Sequence, residues 1–308
     1  MSAPSDHLPS AALVSPPTGC LVCGGTRTVP QFGRGGAPQP ISPVSERYRI
    51  THSERRRVHA IVRCADCGMV SLPIEFAPPL SYEDAADPYY LDQGAQRVAN
   101  AHRLLDLIPS GGRLLEIGCA CGFLLVAARE RGFEARGVEM SAWASAHARA
   151  AQGLDVHTGT LESAAVPTGS VDAVVLADVI EHLFDPAATL REIHRVLKRG
   201  GRLLLLTPDV GSAMARLFGP RWWGLLDDHY FYFSRQTLQR VLEREGFAIE
   251  RMSALGRVFP LGHWVFKLAP YSRVLERAAT GIVRRLGLEN LQISVNLGDQ
   301  MACVALKK

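Results

Sequence analysis

The sequence predicts an α/β protein in which a seven-stranded, mostly parallel sheet carries helices on both faces and follows a small N-terminal zinc-binding β module. Three observations predict it. From about Asp87 onward, apolar runs of strand length alternate with amphipathic runs of helix length, the pattern that β-α-β connections require. Upstream, two C-x-x-C-G pairs stand outside that alternation, at Cys20 and Cys23 and at Cys64 and Cys67. Between the first strand of the alternating region and the next helix lies a turn of small residues, Gly118-Cys119-Ala120-Cys121-Gly122.

The 308 residues, 47% hydrophobic and 21% charged, suffice for one large domain and a smaller companion. Lys plus Arg is 34 and Asp plus Glu is 30, so the formal net charge is +4, too weak to recruit a nucleic acid by bulk electrostatics. No apolar run reaches the roughly 18 residues of a membrane span, and the first residues lack the basic-then-apolar order of a secretory signal. Seven cysteines, an odd number, favour a reducing cytoplasm over a secreted disulfide framework.

Residues 1–18 are rich in Pro and Ser without an apolar period and read as a disordered leader. The zinc module is expected over 19–80. Each C-x-x-C pair places two thiolates on one tight turn, and two such turns facing each other close a Cys₄ tetrahedron, a structural site with no open position. A Gly/Pro-rich stretch (Gly33 to Pro43) and a basic, strand-like run (Tyr48 to Val62) separate the pairs. Two disulfides or two separate redox pairs are the alternatives.

The α/β domain is expected over 85–308. Its strands are read at Arg113–Gly118, Glu134–Glu139, Val156–Thr158, Val171–Ala177, Arg202–Thr207, Ala248–Ser253 and Met301–Leu306. Helices are read at Gln93–Ile108, Gly122–Arg131, Ala142–Ala151, Ala187–Val196 and Arg235–Glu245. At the first strand–helix turn the nicotinamide fingerprint G-x-G-x-x-G fails, because Ala120 and Phe123 occupy its second and third glycine positions. The pattern that fits is acid-x-G-x-(G/A)-x-G, with Glu116 as the acid. Glu139, at the end of the second strand, is placed to accept hydrogen bonds from two ribose hydroxyls.

The ordered motifs LLEIGCACG, GVEM, GTLESAAVPTGSVDAVVLADVIEHLFDP and LKRGGRLLLLTPD resemble those of class I S-adenosylmethionine-dependent methyltransferases, whose sheet is Rossmann-like. The resemblance covers roughly residues 85–308. The preceding Cys₄ module is similar to that of a bacterial subset fused to small-molecule or sugar methyltransferases. The resemblance implies that Gly118, Cys119, Ala120 and Gly122 lie under the methionine and ribose of the cofactor. It implies that Glu116 anchors the loop or the amino group, that Glu139 binds ribose and that Met140 packs on adenine. The family often has Asp where Thr160 stands, so the backbone of Leu161 is expected to serve the adenine amino group. Ala177 and Asp178 would flank the methionine end. Cys119 and Cys121 are read as loop packing, and Cys303 has no assigned role.

Two histidines map to the carboxyl ends of the strands, where an acceptor would sit. His182 follows the fourth strand, and His229, beside Asp227 and Asp228, follows the fifth. Either suits a general base, with helix capping as the structural reading of His182. The aromatic, basic insertion 210–226 reads as a substrate lid. The excursion 259–290 is read as helical, closing the pocket, making a homodimer or lying on a membrane surface through Arg273, Arg277, Arg284 and Arg285. The expected activity is methyl transfer to a hydroxyl of a sugar or secondary metabolite, using a base and no catalytic metal. Carbon methylation of a nucleotide-linked sugar is one alternative. RNA methylation is another, favoured by Arg55-Arg56-Arg57 but opposed by Ala177-Asp178-Val179-Ile180, where base-nitrogen enzymes carry an Asn-Pro-Pro-Tyr-like tetrapeptide. A cofactor-binding protein without turnover, docking a partner through its zinc module, is the third.

Overall fold

The structure, a computed structural model, describes residues 19–32, 61–73, 82–226, 228–269 and 271–308. The expected leader, the stretch from Gly33 to Pro43, Arg55 to Arg57 with nearly all of the basic run around them, and Asp227 lie outside the described residues.

Strands β1 (Thr28–Phe32), β2 (Ile61–Cys64) and β3 (Val70–Ser71) form an antiparallel N-terminal sheet. The chain continues through α1 (Gly94–Leu105), β4 (Gly112–Ile117), α2 (Phe123–Glu130), β5 (Phe133–Glu139), α3 (Ala142–Gln152), β6 (Asp155–Thr158) and β7 (Val171–Ala177). Then come α4 (Pro186–Val196), β8 (Leu197–Pro208), α5 (Ala213–Phe218), β9 (Phe231–Tyr232), α6 (Arg235–Arg244) and β10 (Phe247–Ala254). The last elements are β11 (Arg257–Pro260), α7 (Leu261–Phe266), α8 (Arg273–Arg285), β12 (Gln292–Val295) and β13 (Gln300–Lys307).

The main sheet has the order β10-β13-β8-β7-β4-β5-β6. Strands β4 to β8 are parallel, while β13 runs antiparallel to both β8 and β10. All seven strands expected from the sequence are therefore present in one sheet. Its central strands are apolar at consecutive positions because helices cover both faces. Leu115, Val174, Leu203 and Leu205 face α4 and α6, while Leu114, Val175, Leu204 and Leu206 face α1 and α2. Each buried leucine contributes roughly 1.5–3 kcal/mol of hydrophobic stabilisation. Helix starts follow local chemistry. Ser141 accepts from the Ala144 N–H, Asp185 accepts from the Ala188 N–H ahead of Pro186, and Ser234 forms a capping box with Thr237.

The N-terminal sheet extends into the α/β domain, since β3 pairs with β9. Leu21, Ile61, Met69, Val70 and Leu72 share one core with Phe231, Phe233, Leu238 and Val241. Helix α6 also grips the cysteine turns. Arg244 Nη1 donates to the Leu21 carbonyl at 2.6 Å, and Arg240 Nη1 donates to the Cys67 carbonyl at 3.3 Å.

Two insertions differ from their expected form. The excursion read as helical holds α7 and α8, but a hairpin of β11 and β12 closes it at its base. The hairpin forms because Phe259 pairs with Ile293 and stacks on His263 at 4.2 Å, while Trp264 Nε1 donates to the Ile293 carbonyl. On α8, Val274 and Ile282 are largely exposed, and no described helix is long and apolar enough to cross a membrane. The insertion 210–226 contains α5, but Trp222 and Leu225 are buried in the core and Trp223 Nε1 donates to Asp299. That end of the insertion is anchored through Trp222, Trp223 and Leu225, while Leu217 and Leu226 are exposed.

Burial, then the positive charges of Lys267, Arg97 and Arg257, push the His263 pKa down to about 4. The unfolded chain therefore binds this proton more tightly, and folded stability should fall as pH drops from about 6.5 to 4. His263→Phe, which keeps the stack on Phe259, should remove about 1–2 kcal/mol of that loss in denaturant titrations at the two pH values.

Candidate active site

The turn expected to hold the cofactor is built by backbone geometry. After β4 the chain turns through Gly118 (φ +71°), Ala120 (φ +46°) and Gly122 (φ +81°), and Gly122 opens α2. A Cβ on Gly118 would meet Val179 Cγ2 at 2.7 Å, and one on Gly122 would meet Leu154 Cδ1 at 2.2 Å. Glycine is required at both positions by conformation and by space.

Glu139, at the end of β5 and almost buried, ties this turn down. Its Oε2 accepts from the Ala120 N–H and its Oε1 from the Ser141 N–H, both at 2.8 Å. Burial raises its pKa, and the N–H groups of Ser141, Ala120 and Met140 oppose the shift. Each oxygen keeps a second lone pair, the capacity that two ribose hydroxyls would use. Glu116 is buried at the end of β4, and its Oε2 has no partner among the described residues. Burial first, and the Glu139 charge second, hold its carboxyl well above the usual range. An orphaned buried carboxyl oxygen beside a glycine turn fits a ligand that donates hydrogen bonds, as the cofactor's amino group and ribose do.

The other expected cofactor residues surround this turn. Met140 is half-buried and Leu161 is buried. The Thr160 hydroxyl accepts from the Ser163 N–H, while the Thr160 N–H donates to Ser163 Oγ, so that side chain is engaged in its own turn. Ala177 ends β7, and Asp178 follows at φ +55° with both carboxylate oxygens 2.6 Å from Arg257 Nη2. Cys119 and Cys121 are buried, which raises both thiols, Cys121 to about 12. Cys303 is packed in β13 and burial pushes it to about 12. Burial thus keeps all three thiols protonated at neutral pH.

Beyond β7, a one-turn 3-10 helix (Ile180–His182) presents Glu181 and His182, and His229 lies just before β9. The two imidazoles meet edge to face at 4.6 Å. Glu181 is 1% exposed, and its Oε2 accepts from Thr207 Oγ1 at 2.9 Å while its Oε1 has no described partner. His229 is 3% exposed, and its Nδ1 has no described partner. His182 Nδ1 lies 3.0 Å from the Asp228 carbonyl and 3.2 Å from the Tyr82 hydroxyl. Burial, then the His182 charge, pushes His229 down to about 4, so it is neutral at neutral pH. Burial raises Glu181 to about 7 against the opposing His182 charge. The sequence reading singled out both histidines as separate candidates and expected no metal beyond the Cys₄ cluster. The structure joins them with Glu181 into one group whose ligand atoms lie within 4.8 Å of one another. Tyr82, Thr207 and Arg257 were not foreseen; they lie on three distant stretches and carry no local motif.

The four N-terminal cysteines also converge, with Sγ atoms within 4.8 Å of one another. Cys20 and Cys67 Sγ are 3.3 Å apart, and Cys23 and Cys64 Sγ are 3.5 Å apart. A tetrahedral ion with bonds of about 2.3 Å holds sulfurs about 3.8 Å apart, so the cluster fits zinc. Gly24 (φ +71°) and Gly68 (φ +80°) supply the left-handed residue after each pair.

Residues 90–251 match a family model described as a methyltransferase domain. The ubiquinone biosynthesis O-methyltransferase of Pseudomonas aeruginosa is 35% identical over 104 residues, 32% of this chain and 45% of that protein. The enzyme of the same name from Xanthomonas oryzae is 33% identical over 129 residues, 40% of this chain and 50% of that protein. The chain thus spans about half the length of the curated relatives it matches. Among solved structures, one similar chain belongs to the complex between the Haloferax volcanii Trm112 methyltransferase activator and a methyltransferase. Its TM-score is 0.51 at 17% identity, covering 70% of this chain and 91% of that one, a likeness of fold.

Glu139→Ala should weaken S-adenosylmethionine binding about 10- to 100-fold in calorimetric titration while the chain stays folded. Unchanged affinity would remove Glu139 from the site.

Proposed function

Because this chain belongs to the class I S-adenosylmethionine-dependent methyltransferases, we propose that it methylates a hydroxyl of a small molecule, a sugar or another secondary metabolite. The observation that carries this reading is the group formed by Glu181, His182 and His229. It stands beyond the carboxyl end of β7, where Glu181 is two residues past Val179, whose side chain lies against Gly118 of the cofactor turn. Glu181 Oε1 and His229 Nδ1, buried without partners among the described residues, offer lone pairs to a hydroxyl. Oxygen methylation also accords with the names of the relatives from Pseudomonas aeruginosa and Xanthomonas oryzae.

In this reading the turn Gly118–Gly122, Glu116 and Glu139 hold the cofactor, with Met140 and Leu161 at its adenine end and Ala177 and Asp178 at its methionine end. Bound there, S-adenosylmethionine supplies an electrophilic methyl group. The chain's own task is to align the acceptor oxygen with that methyl and to remove the hydroxyl proton. Asp178 is held by Arg257, so the excursion between β11 and β12 braces the wall of the site. The cysteine cluster binds structural zinc and supports the acceptor side indirectly. Strand β3 pairs with β9, and the Leu72 N–H donates to the Tyr230 carbonyl, next to His229.

His229→Asn should lower kcat by about 10²- to 10⁴-fold with S-adenosylmethionine affinity retained. Full activity would exclude His229 from the chemistry. Cys20→Ser should reduce bound zinc, read by metal analysis, and lower the melting temperature; undiminished zinc would refute the Cys₄ site.

A further inference from the structure

We propose that Glu181, His182 and His229 form a second metal site, which binds one first-row divalent cation at the acceptor side of the cofactor turn. The inference rests on the methyltransferase reading for its purpose but on independent geometry for its existence. Three ligand atoms, one from each residue, already lie within 4.8 Å of one another. An ion at about 2.1 Å from each would draw them to about 3–3.5 Å, a side-chain adjustment.

The protonation pattern leaves lone pairs where a cation needs them. His229 Nδ1 is buried in the protein with no partner among the described residues. His182 Nδ1 faces the Asp228 carbonyl, so that nitrogen carries the proton and Nε2 carries the lone pair. Glu181 is oriented by Thr207 through one oxygen, and the other is unpartnered. Two histidines and one carboxylate are the donor set of open transition-metal sites, and here His182 and Glu181 are each held by an outer hydrogen bond. Buried acceptors without partners are costly, and a cation satisfies two of them at once. Three protein ligands leave positions open for water or for the acceptor's hydroxyl, whose proton the cation's charge would make easier to remove.

The test uses the full chain with its cysteine site loaded with zinc. Mn²⁺ is the probe, because thiolates disfavour it whereas imidazole and carboxylate accept it. Electron paramagnetic resonance titration should show one Mn²⁺ bound per chain. Glu181→Gln and His229→Asn should each weaken it at least tenfold. Retained S-adenosylhomocysteine binding by each variant certifies its fold. Absence of bound Mn²⁺ in the unmodified chain, with no Zn²⁺ or Co²⁺ held beyond the cysteine site, would overturn the proposal. So would equal Mn²⁺ affinity in folded variants. Methyl transfer by a chain holding no second metal would defeat the metal site and keep the enzymatic reading. Mn²⁺ binding that responds to both variants, with no transfer to any hydroxyl acceptor, would uphold the site and defeat that reading.

Discussion

One carboxylate organises the glycine turn at the end of β4. Glu139 reaches from the end of β5 to the backbone of Ala120 in the neighbouring turn and of Ser141 at the start of α3. A nearly buried carboxylate is stable there only because N–H groups aimed at it offset its desolvation. The same geometry sets the shape of the turn, with Gly118 against Val179 and Gly122 against Leu154. Val179 in turn leads into the segment that carries Glu181 and His182. The glycine turn and the segment bearing Glu181 and His182 thus meet at Gly118 and Val179.

The acceptor side depends on a second, less obvious support. His229 lies in a connection between β8 and β9, where backbone freedom would be expected. Here Tyr230 is held twice, its N–H donating to the Glu181 carbonyl and its carbonyl accepting from Leu72 of the N-terminal module. The cysteine cluster stands at the far end of the same small sheet, and arginines of α6 bind the carbonyls of its turns. A module that reads as an appendage in sequence therefore functions as a brace for one residue of the site.

Much of the fold was legible because the physics is local and periodic. The seven strands of the main sheet announced themselves as apolar runs bounded by glycine and polar turns, and the helix starts at Ser141, Asp185 and Ser234 carry capping side chains. The turn from Gly118 to Gly122 was legible because only small residues tolerate its conformation. Other features were set by contacts between distant residues. The hairpin of β11 and β12 pairs segments separated by two helices, so neither strand has a nearby turn to betray it. The pairing of β3 with β9 involves two residues from each strand, too short for any periodicity. The segments that carry Glu181, His182 and His229 are joined by the bond from the Tyr230 N–H to the Glu181 carbonyl. Each histidine had been visible, but their contact across the site was not.

Amide hydrogen exchange with and without S-adenosylhomocysteine tests the central claim most directly, that the Glu139-tied turn is the cofactor's seat. Added ligand should slow exchange at the amides of residues 118–122 and of Glu139 to Ser141, with little change at the cysteine turns. Unaltered exchange in that turn, or protection confined to another part of the sheet, would contradict it.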